Sequence, residues 1–593
     1  MVGTTLDFEV INDGRDALAK VISNNFTSWN QQRIKWLEEV KEIRNYVFAT
    51  DTSTTSNKTL PWKNSTTLPK LCQIRDNLHA NYMAALFPSS DWLTWEGDDE
   101  DSEAAEKRKV ITSYMQNKLK QVKFRAFTSK LVYDFIDYGN LFCTGKWVHD
   151  TVENEAGEVT TTFIGAKPLR ISPLDIVFNP VANEFESTPK IIRSLMSIGE
   201  LKAAVENESV TEEDTLMLEY VMGRSIHIRK QYSDGSIENK DKVDAFQVDG
   251  FGTLQEYYSS GLVEVLQFIG TIYDIDKDIL YKDRVITVVD RSYVISNKKK
   301  PSWLKNDIIH VGWRLRPDNL YAMSPLANLV GMQYRIDHLE NLKADVFDLI
   351  AFPVFKIKGN VDDFEYAPNE RIYVGDEGDV EFMHPDVTAL NANTEILQLE
   401  QKMEEMAGAP KQAMGFRTPG EKTAFEVQVL ENNTSRVFLN KVSYLEEMGI
   451  EPLINLLLEI NKRNITESDL IRTLDSEMDV ITFTSVTKED LKISGKIRAT
   501  GASHFARKAN LIQNLTTLMG SAIGQDPAVT THISGLKIAE LLEKAMDIEK
   551  YKLVSENIRV MEQTETQRLI QTASEQLEIE AATPAGINPA EQI

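Results

Sequence analysis

Residues 324–352 read SPLANLVGMQYRIDHLENLKADVFDLIAF, and this stretch decides the fold of the chain around it. Its apolar residues recur with helical spacing, at Leu326, Leu329, Val330, Ile336, Leu339, Leu342, Val346 and Leu349. Ser324 and Pro325 form an expected N-cap and first-turn pair, and Pro353 ends the pattern. We therefore predict a helix of about 25 residues, roughly 37 Å long at about 1.5 Å per residue.

The residues after this helix predict a small β module and two further helices. Short apolar runs follow Pro353 and are broken by Gly, Asn-Glu and Asp-Glu-Gly turns. TALNANTEILQLEQKMEEMAG then predicts a second helix. A stretch containing Gly and Pro, GFRTPGEKTAFE at 415–426, leads into a long third helix that reaches Arg463. The order of elements is therefore helix, β module, helix, loop and long helix.

The residues before Ser324 mix helical and strand patterns. Helical patterns cover residues 17–49, 70–86 and 104–138, while strand patterns dominate 140–180 and 215–315. After the third helix, a β return near 478–500 and a helical tail complete the chain. Because helices lead and β-structure follows without regular alternation, we predict an α+β fold.

Composition limits the classes of function. The 593 residues carry a net charge of −25, and 42% of them are hydrophobic, as in a folded protein. A protein that grips nucleic acid along its phosphates carries a basic excess, so strong global DNA binding is not expected. The two cysteines, Cys72 and Cys143, lie in apolar contexts and predict buried small side chains. The sequence shows neither a signal peptide nor a run of about 18 apolar residues, so we expect assembly in a cytoplasm and no contact with a membrane.

The stretch at 415–423 is close to a phosphate-binding loop but lacks its chemistry. Gly415 and Gly420 have the required spacing, yet Glu421 stands where the lysine belongs. Pro419 removes an N–H donor, and a helix rather than a buried strand precedes the loop. A second near-match, GNLFCTGKW at 139–147, has five residues between its glycines. Nucleotide binding is therefore not expected at either place.

Other enzyme and metal signatures are missing from the sequence. The histidines are scattered, and neither an H-E-x-x-H run nor a Cys/His cluster occurs. G-x-S-x-G is also absent, so a nucleophile elbow has no support. We predict no catalytic residues, no metal site and no cofactor.

Basic residues are modestly enriched around the Gly/Pro stretch. Between residues 408 and 441, five basic and three acidic side chains give a local charge of +2. A solvated helix face explains this charge about as well as a contact with DNA does. The basic residues are Lys411, Arg417, Lys422, Arg436 and Lys441.

The order of elements resembles the portal protein, or head-to-tail connector, of tailed bacteriophages, especially the short-tailed phages. Local stretches are similar as well, and the resemblance runs over nearly the whole chain. These stretches are TLPKLCQIRDNLHANYMAALFPSSDWLTWEG at 67–97, FIDYGNLFCTGKWV at 135–148, PLRISPLDIVFNPVANEF at 168–185 and GFRTPGEKTAFEVQ at 415–428.

The resemblance implies a division of the chain into the parts of a portal subunit. The implied parts are an α+β wing at 1–324, a stem helix at 325–351, a clip at 352–388, a stem helix at 389–407, a tunnel loop at 408–421, a long helix and wing return at 422–505, and a crown at 506–593. The β segment at 478–500 would also belong to the wing.

The resemblance also implies a function and a set of contacts. Subunits would form a ring, a dodecamer, at one capsid vertex of the virion, as the channel for DNA packaging and ejection. Implied partners are double-stranded DNA, the terminase motor, a head–tail adaptor, and the major capsid or scaffold protein. Lys411, Arg417 and Lys422 would contact DNA in the channel. The clip would bind partners through Phe364, Tyr366, Arg371 and Tyr373.

Two other readings stay open at this point. Another structural virion protein, such as a tail hub or capsid component, would not require two helices around a small β module. A packaging ATPase or nuclease would need an intact phosphate loop, and the candidate loop at 415–423 is not intact.

A channel also suits the net charge of −25, because acidic walls with few basic residues let DNA slide.

Overall fold

The computed structural model of the chain describes two compact units. One unit comprises Met1–Asp469 with Val486–Gly501, and the other comprises Leu470–Ser485 with Ala502–Ile593. The described residues are 5–8, 14–49, 51–60, 63–87, 92–96, 102–153, 159–197, 199–201, 262–304, 307–362, 371–383, 387–407, 437–465, 469–474, 481–489, 491, 495–499, 537–539 and 541–542.

The first unit combines helices with mostly antiparallel sheets, which confirms the α+β prediction. Its α-helices are α1 (Gly14–Gln32), α2 (Ile34–Phe48), α3 (Lys70–Leu86), α4 (Ser102–Gln121), α5 (Phe124–Asp137), α6 (Val330–Ala351), α7 (Asn393–Ala407) and α8 (Glu451–Asn464). Its strands are β1 (Thr5–Phe8), β2 (Leu93–Glu96), β3 (Asn140–Glu153), β4 (Val159–Ile171), β5 (Ile176–Phe178), β6 (Lys190–Ser197), β7 (Leu262–Asp274), β8 (Ile279–Val289), β9 (Tyr293–Lys299), β10 (Ile309–Gly312), β11 (Arg314–Arg316), β12 (Asn319–Met323), β13 (Val354–Lys358) and β14 (Asp379–Met383).

The largest sheet has the strand order β5-β6-β7-β8-β9, with β1 parallel to β7. Successive side chains of a strand point to opposite faces, and those of β7 reach two different apolar clusters. Phe268 faces Ile22 and Phe26 of α1 in one apolar cluster. Its neighbour Ile269 belongs to a second cluster, with Trp36 of α2.

Two helices that the sequence predicted as continuous are each divided in two. The pattern at 17–49 becomes α1 and α2, which meet at Arg33. Arg33 is 2% exposed, and its guanidinium donates to the carbonyl oxygens of Pro173, Leu174 and Ile176 at 2.6–2.9 Å. The pattern at 104–138 becomes α4 and α5, separated at Lys123, whose φ of 52° is left-handed. In each case one helix ends and the next begins, although the apolar residues keep their helical spacing across the break.

The helices around the β module start later than predicted. A 3₁₀ turn, Ala327–Leu329, precedes α6, and neither element begins with a side-chain cap, so Ser324 is not the predicted N-cap. The Leu326 N–H donates to Ser324 Oγ at 3.0 Å. Similarly, the 3₁₀ turn Val387–Ala392 precedes α7. Both helices end as predicted, at Ala351 and Ala407.

The third predicted helix is described from residue 437 onward. Residues 437–445 are helical, and Glu446–Ile450 forms a π-helical turn that continues into α8. Gly449 lies in this turn against Val311, with 3.1 Å between the position of an added Cβ and Val311 Cγ2. At the end of this unit, β17 (Lys496–Ala499) pairs antiparallel with β2.

The second unit has few described residues. Asp469–Leu474 and Ile481–Val486, here β15 and β16, form a two-stranded sheet. Residues 537–539 and 541–542 are helical. The rest of the predicted crown at 506–593 lies outside the described residues.

Candidate functional site

The candidate site is the helix–hairpin module, defined as α6, the β13–β14 hairpin and α7. Helix α6 divides into a buried first half and an exposed second half. Ile336 and Leu339 are at most 7% exposed, whereas Phe347 and Phe352 are 53% and 74% exposed. The change comes after Asn341, where α6 leaves the body of the first unit.

The buried half of α6 carries a ladder of polar side chains at every fourth position. We call Gln333, Asp337, Asn341 and Asp345 the polar ladder. A spacing of four places them on one face of the helix. Their partners are backbone groups of residues 64–71, the segment that leads into α3, which we call the strap.

Each side chain of the polar ladder accepts a hydrogen bond from a backbone N–H group of the strap. The N–H groups of Leu71, Leu68, Thr66 and Asn64 donate in turn to the four side chains, over 2.8–3.1 Å. Four helical residues rise about 6 Å, and two extended residues span about 6.6 Å, so Leu68, Thr66 and Asn64 stay in register with the last three ladder residues. The ladder therefore acts as a partner strand for a segment that would otherwise leave its N–H groups unpaired.

Asp337 is the residue of the polar ladder whose surroundings least favour an ionised side chain. Its Oδ1 accepts from the Leu68 N–H at 3.1 Å and from Gln333 Nε2 at 2.9 Å. Its Oδ2 is buried and has no hydrogen-bond partner among the described residues. Burial raises the pKa of Asp337 to about 7, and the two hydrogen bonds only partly oppose this effect.

Helix α7 is tied to the body and to α6 by charged side chains. Lys70, at the start of α3, places its Nζ 2.6 Å from Glu404 Oε1, and both side chains are at most 8% exposed. Lys343 Nζ joins α6 to α7 by donating to Asn393 Oδ1 at 2.9 Å. On its outer side α7 exposes Leu397, at 64%.

The hairpin has one apolar face and one charged face. Phe355 lies opposite Phe382, with 5.1 Å between ring centroids, and Ile357 lies opposite Val380. Ile357 is 54% exposed, so this face is open to solvent. The chain turns at Gly359, whose φ is +75° and where an added Cβ would lie 2.3 Å from the Glu377 carbonyl oxygen.

On the charged face the two strands have opposite signs. Lys356 Nζ of β13 lies 3.0 Å from Glu381 Oε2 of β14, and Lys358 lies opposite Asp379. In the two-stranded sheet one edge of each strand is unpaired among the described residues. The hairpin therefore offers a basic strand edge on one side and an acidic strand edge on the other.

Exposed apolar side chains concentrate in this module. Among the described residues, 13 of the 25 large hydrophobic side chains that are exposed lie between positions 342 and 406. They are Leu342, Phe347, Leu349, Ile350, Phe352, Val354, Ile357, Tyr373, Val374, Phe382, Met383, Leu397 and Met406. An apolar surface of this kind marks a place where another molecule binds.

The predicted site residues fall partly within the described chain. Arg371 and Tyr373 are both exposed, and Tyr373 lies next to the bridge between Val361 and Val374 that extends the hairpin. The other predicted contacts lie outside the described residues: Phe364 and Tyr366 of the clip, and Lys411, Arg417 and Lys422 of the tunnel loop.

Lys441, the last basic residue of the enriched stretch, has a structural contact. Its Nζ donates to the Trp313 carbonyl oxygen and lies 5.0 Å from the centroid of the Trp313 ring. Trp313 in turn donates from Nε1 to Tyr82 Oη at 3.0 Å. Lys441 therefore fixes the long helix to the body.

The polar ladder is the feature that sequence reasoning missed. The available signal was a polar residue at every fourth position, Q-x-x-x-D-x-x-x-N-x-x-x-D, inside an apolar helix pattern.

The two cysteines differ in burial: Cys143 is buried as predicted, whereas Cys72 is half-buried. Burial raises the pKa of both thiols.

Further searches place few constraints on this site. The described residues contain no group of three or more His, Cys, Asp or Glu side chains that could hold a metal ion. None of the described helices is both long and apolar enough to cross a membrane. The sequence matches no protein-family model, and a search of curated proteins found no match.

Proposed function

We propose that this protein is a portal protein of a tailed bacteriophage, which forms a ring at one capsid vertex and conducts DNA during packaging and ejection. In this proposal α6 and α7 are the stem helices and the β13–β14 hairpin belongs to the clip. The single observation that carries the proposal is the exposed apolar surface of the helix–hairpin module. A ring covers such a surface with the neighbouring subunit.

The two strand edges of the hairpin support a head-to-tail contact between copies. If β14 of one copy pairs with β13 of the next, the strands alternate in direction and every contact is antiparallel. On the charged face, Lys356 would then stand between two copies of Glu381. On the other face, the apolar row of Phe355 and Phe382 would continue from copy to copy. Opposite charges and aromatic pairs across strands both stabilise a sheet.

A head-to-tail contact is heterologous, so it leads to a closed ring or an open filament rather than to a dimer. Exposed strand edges and an apolar face are a liability in a monomer, because they promote aggregation. Covering them in a ring removes the liability. The hairpin alone is also only marginally stable in water, which favours an arrangement in which neighbours complete the sheet.

The remaining parts of the proposal rest on the resemblance. The terminase motor and the head–tail adaptor would bind at the clip, where Arg371 and Tyr373 are exposed. The capsid or scaffold protein would surround the wing. The net charge of −25 suits a channel that does not hold DNA tightly.

Charge reversal of the hairpin tests the head-to-tail contact. An acidic variant, Lys356→Glu with Lys358→Glu, places like charges on both strands and is expected not to assemble. A basic variant, Asp379→Lys with Glu381→Lys, is expected to fail for the same reason. Mixing the two restores opposite charges between copies and is expected to restore rings, which native mass spectrometry would count.

The matched control carries all four substitutions. It reverses both strands, keeps the net charge of the chain, and is expected to assemble like the wild type. If both two-site variants form rings as well as the wild type does, the proposed contact is wrong. If the wild type itself stays monomeric over a range of salt and protein concentrations, the proposed function is wrong.

A further inference from the structure

The strap and the polar ladder meet at a buried carboxyl group that has no counter-ion among the described residues. Asp337 is fully buried, and one of its oxygens accepts both of its hydrogen bonds. Burial raises its pKa and these two hydrogen bonds oppose the rise, while no charged neighbour among the described residues contributes. An ionised carboxylate in such a place is costly, since a buried charge needs a partner.

The segments on either side of Asp337 in the structure also contain buried polar atoms without a hydrogen-bond partner among the described residues. Thr67 Oγ1, next to Leu68 in the strap, is buried without a hydrogen-bond partner among the described residues. Asn57 Oδ1 is also buried and unpaired there, while its Nδ2 donates to the Tyr334 carbonyl oxygen of α6 at 3.4 Å. Asp337 Oδ2, buried and unpaired, is the oxygen that a proton would neutralise, since Oδ1 already accepts two hydrogen bonds.

The other titratable groups around Asp337 leave its charge uncompensated. Tyr46 of α2 is held protonated, because burial raises its pKa to about 12, and its Oη is 2.7 Å from Ser56 Oγ. His338 follows on the same helix, and burial and Arg335 lower its pKa. Lys70, at the end of the strap, is engaged with Glu404.

We propose that Asp337 is a proton-operated latch that holds the strap against α6. The neutral carboxyl keeps the strap closed, and loss of its proton to water weakens the closed state. The strap also carries Lys70, the partner of α7, and it lies where α6 leaves the body. Opening the latch would therefore loosen the base of the helix–hairpin module.

The direction of the pH dependence follows from linkage. The pKa of Asp337 is about 7 in the closed state, and it falls toward the ordinary value of 3.8 when the strap opens. At a pH between these two pKa values, opening therefore releases a proton from Asp337. The closed state is consequently most stable at acidic pH. The opening equilibrium should rise about tenfold per pH unit in that window and level off above about pH 7.

Hydrogen exchange of the full-length protein tests the latch. Amide protection in the strap, at Thr66, Leu68 and Leu71, would be measured from pH 5 to pH 8 and corrected for the intrinsic exchange rate. In the wild type, protection should fall about tenfold per pH unit up to about pH 7 and then stay level. In Asp337→Asn, which keeps an acceptor and cannot ionise, protection should not depend on pH.

Two comparisons keep the test decisive. His338→Gln removes the neighbouring titration and should leave the wild-type profile intact. Strap protection that does not depend on pH in the wild type overturns the proposal, whatever the variants do. So does a wild-type profile that persists in Asp337→Asn, or one that disappears in His338→Gln.

Discussion

Arg33 illustrates, at the scale of single residues, how one side chain ends a helix within an apolar pattern. Its guanidinium binds three backbone carbonyls near β5, about 140 positions further along the chain. The sequence predicted the buried faces of α1 and α2 correctly, and Trp29 and Trp36 are both at most 8% exposed. It could not predict the break, because the carbonyls that bind Arg33 are distant in sequence.

Replacement of Arg33 should measure the contribution of these contacts. Arg33→Met leaves three buried carbonyl groups without a donor, so we expect a loss of about 3 kcal/mol or more in unfolding free energy. Chemical denaturation followed by tryptophan fluorescence would report the loss. Lys35→Met, an exposed site on α2, should change the stability by less than about 0.5 kcal/mol. Equal losses in the two variants would contradict the assigned role.

The polar ladder is a second feature whose role depends on a partner far away in the sequence. Its spacing is visible in the sequence, but the strap it binds is about 270 positions away. A polar residue at every fourth position fits a solvated helix face equally well. Only the tertiary arrangement shows that these side chains pair with buried backbone.

At the scale of elements, local signals placed helix boundaries where Pro and apolar spacing acted together. The predicted helix from about Lys70 to Leu86 matches α3, and α6 ends just before Pro353. The predicted starts of α6 and α7 were too early, because 3₁₀ turns occupy their first residues. A single 3₁₀ turn, with about three residues per turn, is too short for its apolar pattern to be distinguished from the first turn of an α-helix.

The Lys70–Glu404 ion pair should control how firmly α7 is held. Removing one partner leaves a buried charge, so Lys70→Met is expected to cost about 3 kcal/mol. The double variant Lys70→Met with Glu404→Met should recover most of this loss, because two apolar side chains replace the pair. A double-mutant cycle of unfolding free energies provides the measurement.

An exposed pair between α6 and α7 is the matched control. Arg335 and Glu395 lie 3.3 Å apart, and both side chains are about half exposed. Their double-mutant cycle should give a coupling of less than about 1 kcal/mol. If this cycle equals that of Lys70 and Glu404, burial does not set the strength of the contact.

At the scale of the whole molecule, the chain exposes apolar surface in one module and carries a large negative charge overall. The sequence predicted the two helices and the β module between them, since their periodicities are local. It did not show that half of α6 stays exposed, because an apolar helix face looks the same whether its partner lies in the same chain or in another copy. The ring is therefore an inference from exposure and charge.

The Gly/Pro stretch gives a prediction at the same scale. Its residues lie outside the described chain, and the proposal assigns them to the channel. Deleting residues 411–420 should leave ring assembly unchanged while it impairs DNA packaging or retention. Particle imaging and a packaging assay would separate the two effects. Loss of rings after the deletion would show that the stretch is part of the folded core.

Imaging the purified full-length protein tests the central claim most directly. Negative-stain electron microscopy, combined with a mass measurement, would determine whether copies of the 67.2 kDa chain form closed particles. Rings with a central hole and the mass of a dodecamer are expected. A single population of monomers over a wide range of salt and protein concentrations would contradict it.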